Sequence, residues 1–193
     1  MNNKEVLSFI EKNSKGLSFN DYVDLIKKFE KQYGTDIEKK ICFYRYLLNS
    51  NKRVNLDEYY KLSKSFLRRL NINNVKSIEQ YLLIIDIMMI TAIMLDRYSD
   101  REKALEMFES AIKFGNKYSS YSKENYYDAL NCAYSWKGVY CYNSFKYEEA
   151  LLCFNKIIDN YNKVKDDDNY FVKEKDSVPI SEMYIRKIKS IID

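Results

Sequence analysis

Asp86 stands inside the run Leu82-Leu-Ile-Ile85-Asp86-Ile87-Met88, and a carboxylate buried among such neighbours without a partner would cost several kcal/mol. It must therefore meet water, a cation or a ligand. The other residues able to do chemistry point away from catalysis. Histidine is absent, which removes the commonest general base, the commonest transition-metal ligand and the usual pH switch. Cys42, Cys132, Cys141 and Cys153 show no C-x-x-C spacing and read as reduced core thiols. Asp166-Asp-Asp168 lacks the alternating ligands and the glycine of a calcium loop, so it reads as a solvated loop. No glycine-rich phosphate loop occurs, no serine or cysteine sits beside a base, and no carboxylate pair is singled out by its spacing. The chain is expected to bind rather than to catalyse, without cofactor or metal.

Charge narrows the partner. Lys and Arg number 32 against 28 Asp and Glu, and the basic residues are scattered among acids, which argues against a dedicated nucleic-acid surface. Lys61, Lys64, Arg68 and Arg69 form one basic face that could meet phosphate, but a solvated helix face is the simpler reading. Met1-Asn-Asn-Lys-Glu5 carries no apolar secretion signal, so a cytoplasmic location is expected. The most apolar run, Tyr81 to Leu95, is interrupted by Asp86 and Thr91 and falls short of the roughly 18 to 20 residues that cross a bilayer. It reads as a buried helix, with no membrane partner.

These residues must be positioned by helices. Gly occurs four times and Pro once, and strands and tight turns use both heavily. Thr35-Asp-Ile-Glu38, Asn55-Leu-Asp-Glu58 and Ser99-Asp-Arg-Glu102 each place a capping oxygen three residues before a glutamate. Apolar residues then recur at helical spacing, as in Tyr22, Ile26, Phe29 and Tyr33, or Leu105, Phe108 and Ile112. The pattern predicts helices over 3–13, 19–33, 36–49, 56–70, 76–97, 101–118, 122–143, 147–163 and 180–192. Short polar links such as Ser99-Asp100 and Asn143-Ser144 fold each helix back on its predecessor. The expected fold is all-α, a single domain over 1–193 of stacked antiparallel hairpins. Divergent pairs fill 1–75, two clearer repeats fill 76–163, and a closing helix over 180–193 caps the array or, through Ile185, Ile188, Ile191 and Ile192, docks on a second copy.

A self-match at an offset of 46 residues aligns Ala92 with Gly138, Ala104 with Ala150, Leu105 with Leu151 and Phe108 with Phe154, and continues through Ile112 with Ile158 and Asn116 with Asn162. A small residue in the first helix of a pair lets the second approach closely, an alanine serves the contact from the other side, and the phenylalanine fills the space beside it. With these residues, Tyr147-Glu-Glu-Ala150-Leu-Leu-Cys-Phe154 and Arg101-Glu-Lys-Ala104-Leu-Glu-Met-Phe108 resemble the tetratricopeptide repeat over residues 85 to 163. The period of 46 exceeds the family's usual ~34, and the turn proline of each repeat is missing. Such lengthened repeats look like those of Gram-positive peptide-pheromone receptors of the Rgg and PlcR type. The resemblance implies a right-handed superhelix that binds a regulatory peptide in quorum sensing, here without a DNA-binding helix-turn-helix.

In a solenoid the first helices of successive pairs line the concave face. The candidate ligand contacts are then Asp86, Met89, Ile93 and Arg97 on 76–97, and Asp128, Asn131, Ser135, Val139, Tyr142 and Asn143 on 122–143, with Cys132 in the same stripe. Amides and hydroxyls bond a peptide backbone, charges fix its ends, and apolar residues receive its side chains. Trp136, the single tryptophan, reads as an inter-helix wedge. The expected partner is a peptide or protein. A structural adaptor that meets a folded partner through its convex face or terminal helix is the alternative.

Overall fold

A computed structural model describes residues 70–97, 100–125, 127–167 and 177–192, with scattered positions between 5 and 31 and between 60 and 68. The expected helix over 36–49, the caps at Thr35 and Asn55, Cys42 and Arg69 lie outside the described residues. Among the described residues the chain is all-helical, with no strand. Six helices follow in order: α1 (Ile78–Arg97), α2 (Arg101–Lys117), α3 (Ser119–Glu124), α4 (Asp128–Asn143), α5 (Tyr147–Asn162) and α6 (Ser177–Ile192). Contacts group the chain into two compact units, Met1–Leu83 and Ile84–Asp193, and the boundary falls within α1.

In the first unit, Ser77 and Gln80 cap the start of α1. The Gln80 backbone N–H donates to Ser77 Oγ at 3.3 Å, and the Lys76 N–H donates to Gln80 Oε1 at 3.1 Å. The buried Gln80 amide also donates to the Leu70 carbonyl at 2.7 Å. A backbone hydrogen bond, joined by one from Ser77, lowers the Glu79 carboxyl below its usual range.

The second unit is built from α4 packed on α2 and α5, with α6 laid on α5. Helical spacing explains each buried stripe. On α2 the buried residues are Ala104, Met107, Phe108, Ala111, Phe114 and Gly115, and on α5 they are Ala150, Cys153, Phe154, Ile157 and Asn160, three and four residues apart. Glu102 on α2 and Glu148 and Glu149 on α5 lie in first turns, where the helix dipole favours acids. Leu130, Tyr134, Phe154, Ile157 and Ile188 belong to one core shared by α4, α5 and α6. At 20 residues α1 is long and apolar enough to cross a bilayer. Ile84, Ile85, Ile87, Met88, Ala92 and Leu95 are nevertheless buried in this fold, as in a core helix.

The residues directly before α2 and α5 share one backbone geometry. The residue before each helix has φ −89° and ψ 68° at Asp100, and φ −91° and ψ 68° at Lys146. Asp100 N–H donates to Leu95 O at 2.9 Å and Lys146 N–H to Cys141 O at 2.9 Å, while Ala104 and Ala150 return 3.0 Å bonds to the Asp100 and Lys146 carbonyls. All of these positions are related by the offset of 46. Ser99, of the capping box expected with Glu102, lies outside the described residues; Asp100 precedes α2 with no side-chain cap bond, and its carboxylate accepts from Lys103 Nζ at 2.8 Å.

Two boundaries differ from the sequence pattern. The helix expected over 122–143 is broken, because α3 ends at Glu124 and Tyr127 adopts φ 60° before α4 begins. Tyr127 is buried in the α4–α5–α6 core, and the buried Ser122 hydroxyl donates to the Gly115 carbonyl at 2.9 Å, so side chains from the break are anchored on both sides. The last helix starts at Ser177 rather than 180 and admits Pro179, which is tolerated in a first turn whose N–H groups lack intrahelical acceptors.

Candidate functional site

The face of α4 that carries Asp128, Cys132, Trp136, Val139 and Asn143 repeats at intervals of three and four residues, so these side chains form one stripe. Its first turns lie within electrostatic reach of Asp86 on α1. Burial, with the negative charges of Asp128 and Asp86, pushes the Cys132 thiol up to about 11. The thiol therefore stays protonated near neutrality although Cys132 as a residue is exposed. Two candidate acids, one from each first helix, thus act on the same sulfur.

Lower on the stripe, Trp136, Val139, Tyr140, Asn143 and Ser144 line a cleft of about 160 Å³ together with Asp96 and Arg101. The Trp136 ring lies parallel to Phe108, with centroids 6.3 Å apart and planes within 9°. It is the wedge between α2 and α4 that the sequence suggested, and it is also a wall of the cleft. Lys137 fastens the same two helices through a 2.9 Å bond to Glu109. Burial alone would lower the Lys137 ammonium, but the bond and charge of Glu109 outweigh it and raise the group above its ordinary value.

The remaining candidates divide. Val139 and Asn143 reach the cleft; Asp86, Ile93 and Ser135 are half-buried, and Arg97 and Asp128 are exposed. Met89 is buried, 5% exposed. Asn131 is 1% exposed and faces α5, where its Oδ1 accepts from Asn160 Nδ2 at 2.8 Å. Tyr142 lies edge-on to Tyr147 and Tyr184, at centroid distances of 5.9 and 5.0 Å, and belongs to the packing around α6. Asp96, Arg101, Tyr140 and Ser144 were not singled out by sequence. Asp96 and Arg101 flank a helix turn, and only the placement of α4 beside it turns them into a site. Cys141 and Cys153 are buried as expected of core thiols. Burial raises both, Cys153 to about 12. Among the described residues no group of three His, Cys, Asp or Glu is placed to hold a metal ion.

Lys61, on the basic face considered above, is exposed, while Lys64 lies 4.8 Å over the Tyr60 ring and Arg68 donates to the Lys64 carbonyl at 3.4 Å. No protein-family model, characterised protein or solved structure matches the chain.

Proposed function

We propose that the chain is a regulatory, non-catalytic module that binds a peptide or protein in the cytoplasm, using the α4 stripe and the residues of α1 that face it. The observation that carries this reading is the continuity of that stripe: acids at one end, a rigid indole and Val139 in the middle, and an amide beside a cleft at the other. Such an alternation suits an extended chain, whose backbone needs polar partners and whose side chains need apolar seats. The matching turns before α2 and α5 support a repeated architecture, and the resemblance to peptide-pheromone receptors supplies the ligand class.

Thermal unfolding in the presence of short peptides encoded in the same genome tests the reading. A ligand that binds only the native state at 100 times its Kd adds ~2.7 kcal/mol. A saturable shift that disappears in Asp86→Ala and in Asn143→Ala supports the stripe as the site, whereas the absence of a shift with any peptide argues against it. Tyr142→Ala is a poor probe, since Tyr142 packs against Tyr184.

One observation favours the adaptor reading. Ile180, Met183 and Ile191 on α6 are 45%, 36% and 51% exposed, and an apolar surface of this kind can seat a folded partner. Capture of a partner that is lost on Met183→Glu but retained in Asn143→Ala would favour it.

A further inference from the structure

The cleft at the α1–α2 turn has a counterpart against which its chemistry can be judged. Lys146, before α5, has nearly the same backbone angles as Asp100, before α2, and the backbone bonds at Lys146 and Ala150 repeat those at Asp100 and Ala104, yet the places of Asp96 and Arg101 are taken, 46 residues on, by Tyr142 and Tyr147. Those two rings close on each other, and Tyr142 also closes on Tyr184 of α6. A turn of this geometry can therefore be sealed by aromatic packing. The first turn instead carries an acid and a base. Among the described residues neither Asp96 nor Arg101 has a hydrogen-bond or ion-pair partner, and both line an open volume of about 160 Å³.

The backbone does not dictate that pair of charges, so we infer that the cleft is a binding site for a free α-amino acid with an apolar side chain. This goes beyond the peptide reading. Its volume falls well below the roughly 300–1,000 Å³ typical of sites for drug-sized ligands, which restricts the occupant to a molecule of amino-acid size. Arg101 supplies the forked donor that suits a carboxylate, and Asp96 is the acceptor for an ammonium. Asn143 and Ser144 add polar contacts at the rim, while Trp136 and Val139 offer the apolar wall. Phe108 behind the indole holds that wall flat. A ligand with only one of the two charges would leave the other protein charge unmatched.

Trp136 is the chain's single tryptophan, so intrinsic fluorescence of the full chain reports on the cleft directly. The probes are L-leucine, N-acetyl-L-leucine, which lacks the ammonium, and L-leucinamide, which lacks the carboxylate. Leucine is expected to change the emission saturably, and each blocked derivative to bind about tenfold more weakly, the loss of one charge-assisted hydrogen bond. Asp96→Asn should abolish the preference for leucine over N-acetyl-leucine, and Arg101→Met the preference over leucinamide. Arg101 is exposed and Asp96 half-buried, and far-UV circular dichroism verifies that both variants remain folded. The proposal is overturned if leucine gives no saturable change up to about 10 mM, a range that would detect even weak binding, or if it binds no better than both derivatives. A peptide-induced thermal shift with no leucine response would sink this proposal and leave the peptide reading standing. A leucine response with no peptide shift would do the reverse.

Discussion

Gly138 shows how one missing side chain sets a helix contact. A Cβ built there would meet Phe154 Cζ at 2.8 Å and Cε1 at 2.9 Å. Phe154 has no room to retreat: it is fully buried and stacked on Tyr184 at 4.8 Å with planes within 5°. Gly138→Ala improves helix propensity by up to ~1 kcal/mol, yet overpacking of this kind costs about 1–3 kcal/mol. The net expectation is a loss of stability, measured as a lower urea midpoint, and Phe154→Leu in the same chain should recover part of it. The opposite sign is expected at Phe145, which adopts φ 60° while 79% exposed and touches the Tyr147 ring edge-on at 6.3 Å. A non-glycine residue in the left-handed region costs roughly 1–2 kcal/mol, so Phe145→Gly should raise the midpoint by up to about 1 kcal/mol after the entropy of glycine is counted. Gly138 was legible in sequence, because the offset of 46 residues sets it beside Ala92 as the small residue of a helix pair, with a phenylalanine of the second helix filling the space next to it. Phe145 was not: nothing in Asn143-Ser-Phe145-Lys marks a left-handed residue where glycine is usual.

Between elements, the α4–α5 contact contains a polar pair where the corresponding positions of the preceding hairpin are apolar. Asn131 and Asn160 correspond, 46 residues earlier, to Ile85 and Phe114, both buried. Asn160 Oδ1 accepts from Lys163 Nζ at 3.4 Å, and Lys163 lies 5.5 Å over the Tyr127 ring, whereas Asn131 Nδ2 is buried with no partner in the structure. Asn160→Ala removes the bond to Asn131 Oδ1 and should cost about 1–3 kcal/mol. In a double-mutant cycle with Asn131→Ala, denaturant unfolding should give a coupling energy of about 0.5–3 kcal/mol; additive losses would show that the pair merely fills space. Helix starts at this scale were legible only in part. Ser77-Ile-Glu-Gln80 fits the capping pattern and makes the cap bond, while at α2 the residue directly before the helix, Asp100, makes no side-chain cap bond and pairs with Lys103. The break at Tyr127 carries no glycine or proline, and it depends on tertiary anchoring of Tyr127 and Ser122 that a helical period cannot register.

For the molecule as a whole, the all-α class and the order of the later helices followed from the scarcity of glycine and proline and from apolar spacing, while the division at Leu83 and Ile84 falls inside one apolar run and leaves no trace in composition. Helical period alone set Asp128, Cys132 and Val139 on one face of α4, but it put Tyr142 with them, which packs against Tyr147 and Tyr184, and read Trp136 only as a wedge. The cleft was not legible, since Asp96 and Arg101 gain meaning only from what packs beside them. The buried thiols give the molecule a pH dependence of definite sign. Burial raises Cys153 from the ordinary 9.0 to about 12 and raises Cys141 as well. Below pH 9 each thiol is protonated in both folded and unfolded chains, and folding is not opposed. Between pH 9 and 12 the unfolded chain releases the Cys153 proton while the folded chain keeps it, and Cys141 acts in the same direction, so the equilibrium shifts toward the unfolded state. Stability to urea should therefore be level near neutrality and fall progressively as pH rises through that window. Cys153→Ala should be less stable at pH 7, from the lost packing beside Gly138, but should lose less on going from pH 8 to 11 than the unsubstituted chain. Parallel curves for the two proteins would mean that the Cys153 thiol exchanges its proton as freely in the fold as out of it.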